Sequence, residues 1–276
     1  MPLLHCQFHA KTLGLATALN VILPQPADPS QIGITGISPN TPPHPPNGWP
    51  TLYLLHGLSD DHSVWLRRTS LERYAARLGL AIVMPNGHRS FYTDMATGQR
   101  YFAFLTEELP ALCRSMFRLS DAREDNFVAG LSMGGYGAFK WALSHPDRFA
   151  AATSLSGALD MQHRIAQPDG PLDTQELTNI FGPPDRFPGS PNDLFALARN
   201  ASANPQPTPK LYQCCGTDDF LIDDNHRFRD LAHNLSLDLL YEEHPGHAHT
   251  WAYWDQQIQR VLDWLPLPTD PPSLNG

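Results

Sequence analysis

The pentapeptide Gly130-Leu131-Ser132-Met133-Gly134 constrains the fold of this chain more than any other feature. It follows the apolar run Phe127-Val128-Ala129 and precedes a helix-like stretch over residues 136–143. Strand, sharp turn and helix in that order place a serine at the apex of a strained turn, its hydroxyl above the sheet. Gly130 and Gly134 lack the Cβ atoms that would clash across so tight a turn. Gly135 and Gly137 would let the helix lie close to its neighbours. Glycine and serine are common in ordinary turns, so the pentapeptide alone also fits a turn without chemistry.

The flanking sequence supplies a β/α rhythm. Apolar runs at residues 51–55, 81–84, 150–155, 210–215 and 237–241 read as strands, preceded by one over residues 18–23. Leu71, Tyr74, Ala75 and Leu78 keep helical spacing, as do Phe102, Leu105, Leu109, Leu112, Cys113 and Met116, with Pro110 an expected kink. Trp251, Trp254, Ile258, Val261, Leu262 and Leu265 mark a terminal amphipathic helix. Continuous apolar strands between helices predict an α/β fold with a mostly parallel central sheet covered on both faces. At 276 residues, one domain over 1–276 is expected. Nine of the 27 prolines fall between Pro24 and Pro50, so residues 24–50 read as a surface loop. Residues 158–208, rich in Pro, Gly, Asp and Asn, read as a cap-like insertion over the carboxyl edge of the sheet. Residues 266–276 read as a flexible tail.

A net charge of −9 with no clustered basic face argues against nucleic-acid binding. No apolar stretch is long enough to span a membrane, and the N-terminus lacks a basic region followed by an apolar core. The four cysteines show no C-x-x-C spacing, and Cys214 and Cys215 sit in an apolar run as small strand residues. These features together predict a reduced, cytoplasmic setting; self-association into a homo-oligomer is compatible with them.

A serine hydroxyl needs a base and a group to orient that base. In the α/β-hydrolase order, the acid follows a later strand and the histidine follows the last. Asp218, Asp219, Asp223 and Asp224 lie near the first position; His244, His247 and His249 lie near the second. Spacing alone leaves both choices open. The aspartates beyond Asp219 are expected to cap a helix starting near Asp223. Zinc held by the three histidines is an alternative, but no H-E-x-x-H pattern accompanies them. An oxyanion site needs two backbone N–H groups. Met133, after the serine, and Leu58, after His56-Gly57 at the end of an early strand, are the candidates, with Gly57 letting the backbone turn.

The chain resembles the esterase D-type branch of the α/β hydrolases, in particular the small bacterial tributyrin esterases. The resemblance rests on Leu54-Leu55-His56-Gly57-Leu58 with Trp65, Tyr92-Thr93-Asp94, Glu107-Glu108-Leu109-Pro110, residues 130–137, residues 215–221 and His249-Thr250-Trp251. It covers nearly the whole chain. It implies Ser132 as nucleophile, Asp219 as acid, His249 as base, and Leu58 and Met133 as oxyanion donors. It implies a serine carboxylesterase acting on short acyl esters through an acyl-enzyme, without cofactor or metal, with a small-molecule ester as partner. Trp65, Phe91, Tyr92, Phe181, Phe220 and Trp251 are the candidate substrate contacts. Related S-formylglutathione hydrolases carry Ser-Gly-Leu-Thr-Cys at the oxyanion loop and a His after the double glycine. Here the chain reads His56-Gly57-Leu58-Ser59-Asp60 and Tyr136, which favours an oxygen ester over that thioester. An acyltransferase and a catalytically silent binding module on the same fold are the remaining alternatives.

Overall fold

The computed structural model describes residues 1–25, 45–168, 171–204 and 206–267. Most of the expected loop over 24–50, and nearly all of the expected tail over 266–276, therefore lie outside the described residues. Eight strands form one sheet: β1 (Leu3–Ala10), β2 (Leu15–Ile22), β3 (Thr51–Leu55), β4 (Ala81–Pro85), β5 (Asn126–Leu131), β6 (Ala151–Leu155), β7 (Lys210–Gly216) and β8 (Leu239–His244). Their order is β1-β2-β4-β3-β5-β6-β7-β8. The pairs β1–β2 and β2–β4 are antiparallel; every other pair is parallel.

Strands β3 to β6 are buried along their whole length because both faces are covered. Alternation along each strand divides the core in two. Tyr53, Leu55 and Val128 face one layer, with Phe139 and Trp141 of the helix Met133–Ser144. Leu52, Leu54, Phe127 and Ala129 face the other, with Leu71, Tyr253 and Ile258. The terminal helix spans Trp251–Trp264, as its periodicity predicts. No helix among the described residues is long and apolar enough to cross a membrane.

Three local features differ from the sequence reading. β1 was not expected. Its residues alternate between exposed and half-buried, the pattern of a strand with one wet face, and Gly14 at φ +67° closes the hairpin to β2. β8 continues past Tyr241 through Glu242 and Glu243 to His244, since an edge strand tolerates charges that a central one would not. The irregularity expected at Pro110 takes the form of a π-helical turn over Phe104–Glu108, directly before the helix Leu109–Met116 that carries the proline.

Two contacts seat the serine turn on the sheet. A Cβ at Gly134 would stand 2.5 Å from the Leu55 carbonyl oxygen and 2.7 Å from that of His56. The helix therefore begins in direct contact with the end of β3. His56 is buried there. Its Nδ1–H donates to the Gly57 carbonyl at 2.7 Å, and its Nε2 accepts the Gly87 amide at 2.9 Å. Burial of this ring holds its pKa down to about 4.

Gly134→Ala should lower the thermal midpoint by roughly 5–10 °C, since rigid carbonyls cannot yield to the added methyl. A thermal melt matching the parent would show that the contact relaxes freely. The second expectation concerns acid. An unfolded histidine titrates near 6.5 and the buried His56 near about 4. The unfolded chain then binds the extra proton between these values. Stability should be intact above pH ~6.5 and fall by up to about 3 kcal/mol as pH drops towards 4. His56→Asn should be less stable at pH 8 but decline less over that window, as read by urea unfolding at successive pH values. Parallel curves would assign the acid sensitivity to other groups.

Candidate active site

Ser132 stands between β5 and its helix at φ +54° and ψ −119°. Non-glycine residues rarely occupy this region, and they persist there only when neighbours over-determine them. Here the Ser132 amide donates to the Leu155 carbonyl at 2.9 Å, and the Ser132 carbonyl accepts from Ala158 at 3.1 Å. A Cβ at Gly130 would overlap the Gly134 carbonyl, so the turn cannot open a gap for one.

Two further loops meet the serine. The register Gly216↔His244 aligns the ends of β7 and β8. Beyond them, Thr217 N–H donates to the His244 carbonyl at 3.1 Å, and Asp218 N–H donates to that of His247 at 3.0 Å. These bonds bind the loop bearing the aspartates to the loop bearing the histidines. His249 Nδ1 lies 2.8 Å from Asp219 Oδ2 and 3.0 Å from Oδ1, and its Nε2 lies 3.1 Å from Ser132 Oγ. A carboxylate only accepts, so the ring proton sits on Nδ1 and Nε2 faces the hydroxyl as an acceptor. Asp219 is 2 % exposed, and its Oδ1 also accepts the Leu221 amide at 2.9 Å. Phe220 and the edge of Trp254 flank the imidazole, at centroid distances of 4.6 and 4.7 Å. Thr250 then caps the terminal helix and fixes where His249 leaves the loop.

The other candidates point elsewhere. Asp218 is exposed and accepts from the Thr217 hydroxyl. Asp223 and Asp224 do not cap the helix Ile222–Asn234, whose N-cap residue Leu221 offers no side-chain acceptor. Asp224 is instead buried, with Arg164 and Arg227 at 2.6 and 2.8 Å. His244 pairs with the Tyr253 hydroxyl, and His247 packs on the Tyr253 ring. Among the described residues, no group of three or more His, Cys, Asp or Glu side chains is arranged to hold a metal ion.

The hydroxyl opens into a cleft of about 380 Å³, a size typical of small-molecule sites. Gly57 and Leu58 line it beside Ser132. Met133 starts the helix, so its N–H has no acceptor within that helix. Gly57 has no left-handed φ; what it supplies is space, since a Cβ there would lie 2.8 Å from Leu131 Cδ1.

Of the six aromatic candidates, Phe91, Phe220 and Trp251 line the cleft. Trp65 is core: its Nε1–H donates to the Leu55 carbonyl at 3.1 Å and its ring meets Trp251 edge-on. Tyr92 lies beneath the cleft with its hydroxyl on the His56 carbonyl at 3.0 Å. Phe181 backs Phe91 and Tyr136 from the insertion and does not reach the cavity. Apolar periodicity places an aromatic near an edge but does not tell wall from support. Sequence reasoning also missed Met161, Leu172 and Leu177, which come from the insertion and form much of the apolar wall. The helices Met161–Ala166, Thr174–Phe181 and Leu194–Ala203 give that segment its shape, each N-capped by an aspartate: Asp160, Asp173 and Asp193.

The Phe91 wall is itself strained. His88, Phe91 and Tyr92 have φ values of +46°, +50° and +49°. Lys140, 1 % exposed on the serine helix, holds this turn: its Nζ donates to the Tyr92 carbonyl at 3.2 Å and to Asn192 Oδ1 at 2.7 Å. It also lies 4.2 Å from the centre of the Phe102 ring. Burial lowers its pKa to about 7.

Residues 35–265 match the family described as putative esterase. Over 278 aligned residues the chain is 31% identical to an acetyl esterase of Caldicellulosiruptor saccharolyticus, covering 98% of this chain and all of the relative. Two solved Staphylococcus aureus structures are 35% identical and cover 96% of this chain and 98% of their own. One, FphF, a fluorophosphonate-binding serine hydrolase with substrate bound, superposes with a TM-score of 0.82. The other, an S-formylglutathione hydrolase without ligand, superposes with a TM-score of 0.80. With its mostly parallel sheet and helices on both faces, the chain belongs to the esterase family of the α/β hydrolases, of the esterase D type, and is a carboxylic ester hydrolase.

Proposed function

We propose that the chain hydrolyses short-chain acyl esters through an acyl-enzyme, with Ser132 as nucleophile, His249 as general base and Asp219 as the group that orients it. The observation that carries this reading is the unbroken line from Asp219 through His249 to Ser132 Oγ, opening on a mainly apolar cleft. In this mechanism Ser132 attacks the ester carbonyl while His249 Nε2 takes the hydroxyl proton. The tetrahedral oxyanion sits against the amides of Leu58 and Met133, which need no reorganisation as charge develops. His249 then protonates the leaving alcohol and activates a water for deacylation. Asp219 holds the imidazole in the required tautomer and stabilises its charged form. Residues 158–208 serve as a cap that closes the acyl pocket within one catalytic domain over 1–276. Phe91, Phe220 and Trp251 are its aromatic contacts.

A thioester is the second reading, supported by the likeness to an S-formylglutathione hydrolase. Tyr136 does not separate the two: it is buried, and its hydroxyl donates to the Asn192 carbonyl at 2.6 Å rather than reaching the cleft.

Ser132→Ala and His249→Ala should each lower kcat by several orders of magnitude on a chromogenic acetate, and the double variant little more, because the groups act as a unit. Asp219→Asn should impair turnover far more than Asp218→Asn. Equal losses at 218 and 219, or activity surviving His249→Ala but not His247→Ala, would overturn the assignment. Acetyl to butyryl esters should be preferred, with kcat/KM falling beyond roughly eight carbons, each fitted methylene contributing about 1–3 kcal/mol. Phe91→Ala should shift that limit to longer chains. A kcat/KM for S-formylglutathione far above that for every short ester would promote the thioesterase reading.

A further inference from the structure

The charged side chains that line the cleft are matched, with one exception. Arg89 pairs with Glu176 at 2.6 Å, Arg164 with Asp224 at 2.6 Å and His249 with Asp219 at 2.8 Å. Asp60 is the exception: among the described residues, no hydrogen bond or ion pair reaches its carboxylate. Arg67 and Arg68 act on it only at longer range, and Asp61 opposes them. Burial, with Asp61 beside it, pushes its pKa up.

Its position gives the mismatch meaning. Asp60 follows Leu58 by two residues on the loop after β3, and its amide donates to the Gly57 carbonyl at 3.2 Å, which folds the loop back. Asp60 Oδ2 lies 3.3 Å from the point a Gly57 Cβ would occupy, and Ser132 Cβ lies 3.7 Å from that same point. The carboxylate thus stands beside Gly57 in the wall of the cleft, near the Ser132 side chain. A lone, half-buried carboxylate there gives up part of its hydration without a protein partner in return. That cost falls if the substrate brings a hydrogen-bond donor to it. The acyl half of an ester belongs against the apolar wall that the insertion supplies through Met161, Leu172 and Leu177, so the donor belongs to the alcohol half.

We propose that Asp60 is a specificity residue that accepts a hydrogen bond from a hydroxyl on the alcohol half of the substrate, making partial esters of polyols better substrates than alkyl esters of the same size. The proposal rests on the ester-hydrolase reading above. A cleft whose wall carries an unpaired acceptor discriminates against an analogue lacking the donor, because bound substrate then covers the half-buried group without matching it.

Propyl acetate and 2-hydroxyethyl acetate differ by a methyl against a hydroxyl and form the test pair. Labelling of Ser132 by a fluorophosphonate, and release of nitrophenol from a chromogenic acetate, are measured first. Their failure would refute the hydrolase reading itself, whereas the labelled fraction counts active sites in every variant. The parent should favour the hydroxylated ester in kcat/KM by ~10-fold or more. Asp60→Leu should bring the ratio towards that of uncatalysed hydrolysis, with Asp60→Asn between. A flat ratio in the parent overturns the proposal without any variant, as does a ratio unmoved by Asp60→Leu among titrated sites. Acetylcholine outperforming 2-hydroxyethyl acetate in the parent, and losing that lead in Asp60→Asn, would replace hydroxyl recognition by charge pairing and overturn the assignment to a polyol.

Discussion

The absence of room for a Cβ where the serine helix meets β3 is the constraint on which the site depends. The carbonyls of Leu55 and His56 face Gly134 across a gap that no side chain could enter. Backbone contact at that point sets the distance between the start of the helix and the loop that leaves β3. On the proposed mechanism, this packing rather than side-chain contact presents the amides of Met133 and Leu58 to the oxyanion. The serine conformation follows from the same closeness, because the chain must reverse between β5 and its helix within one residue. Its left-handed strain is held by bonds to Leu155 and Ala158, both on the neighbouring strand and the loop that follows it.

A second layer of constraint lies beneath the cleft. Gly137 leaves space for the Tyr92 ring; a Cβ there would lie 2.5 Å from Tyr92 Cδ2. The Tyr92 hydroxyl meets the His56 carbonyl, and the His56 ring ties Gly57 to Gly87. Lys140 anchors the Tyr92 carbonyl to the same helix that carries Ser132. One helix therefore carries Ser132 and supports both the loop after β3 and the strained Phe91 wall. A buried ammonium is costly, and neutral acceptors with an aromatic face recover only part of its hydration. Its lowered pKa reflects that imbalance.

Backbone-determined features were legible in the sequence. Gly130 and Gly134 signal a turn because only glycine fits, and continuous apolar runs signal strands covered on both faces. The terminal helix was readable from its period. What escaped has a common physical origin. Asp160, Asp173 and Asp193 read as loop residues because an N-cap and a turn favour the same side chains. The apolar run ends at Tyr241, whereas β8 continues because charged residues are allowed on an edge strand. Trp65, Tyr92 and Phe181 could not be told from Phe91, Phe220 and Trp251, because both sets are aromatics near one edge and only packing divides them. The sequence suggests conformational freedom at Gly57, where the structure uses its small volume. The ambiguity among three histidines was of another kind: spacing places all of them near the end of β8, and the bonds joining the two loops decide which ring turns inward.

The attachment of the insertion bears on how the cleft selects its substrate. Ala96 N–H donates to the Ile180 carbonyl at 3.1 Å and Thr97 N–H to that of Asn179 at 2.8 Å. These backbone bonds join the end of the helix Thr174–Phe181 to the loop after β4. Arg89 grips Glu176 on the same helix with two hydrogen bonds, at 2.6 and 2.9 Å. On the other flank, Asp160 and Asp224 share Arg227, and Asp224 also holds Arg164. Asn192 is bonded to the serine helix through both Tyr136 and Lys140. Swinging the helix Thr174–Phe181 away would break main-chain bonds and a bidentate ion pair together. Leu177 thus stands in a wall bonded to the body that carries Ser132, and on the proposed reading that packing sets the limit on acyl length. Under the same proposal such a wall suits small acyl groups and leaves the alcohol half as the part whose chemistry the cleft can still test.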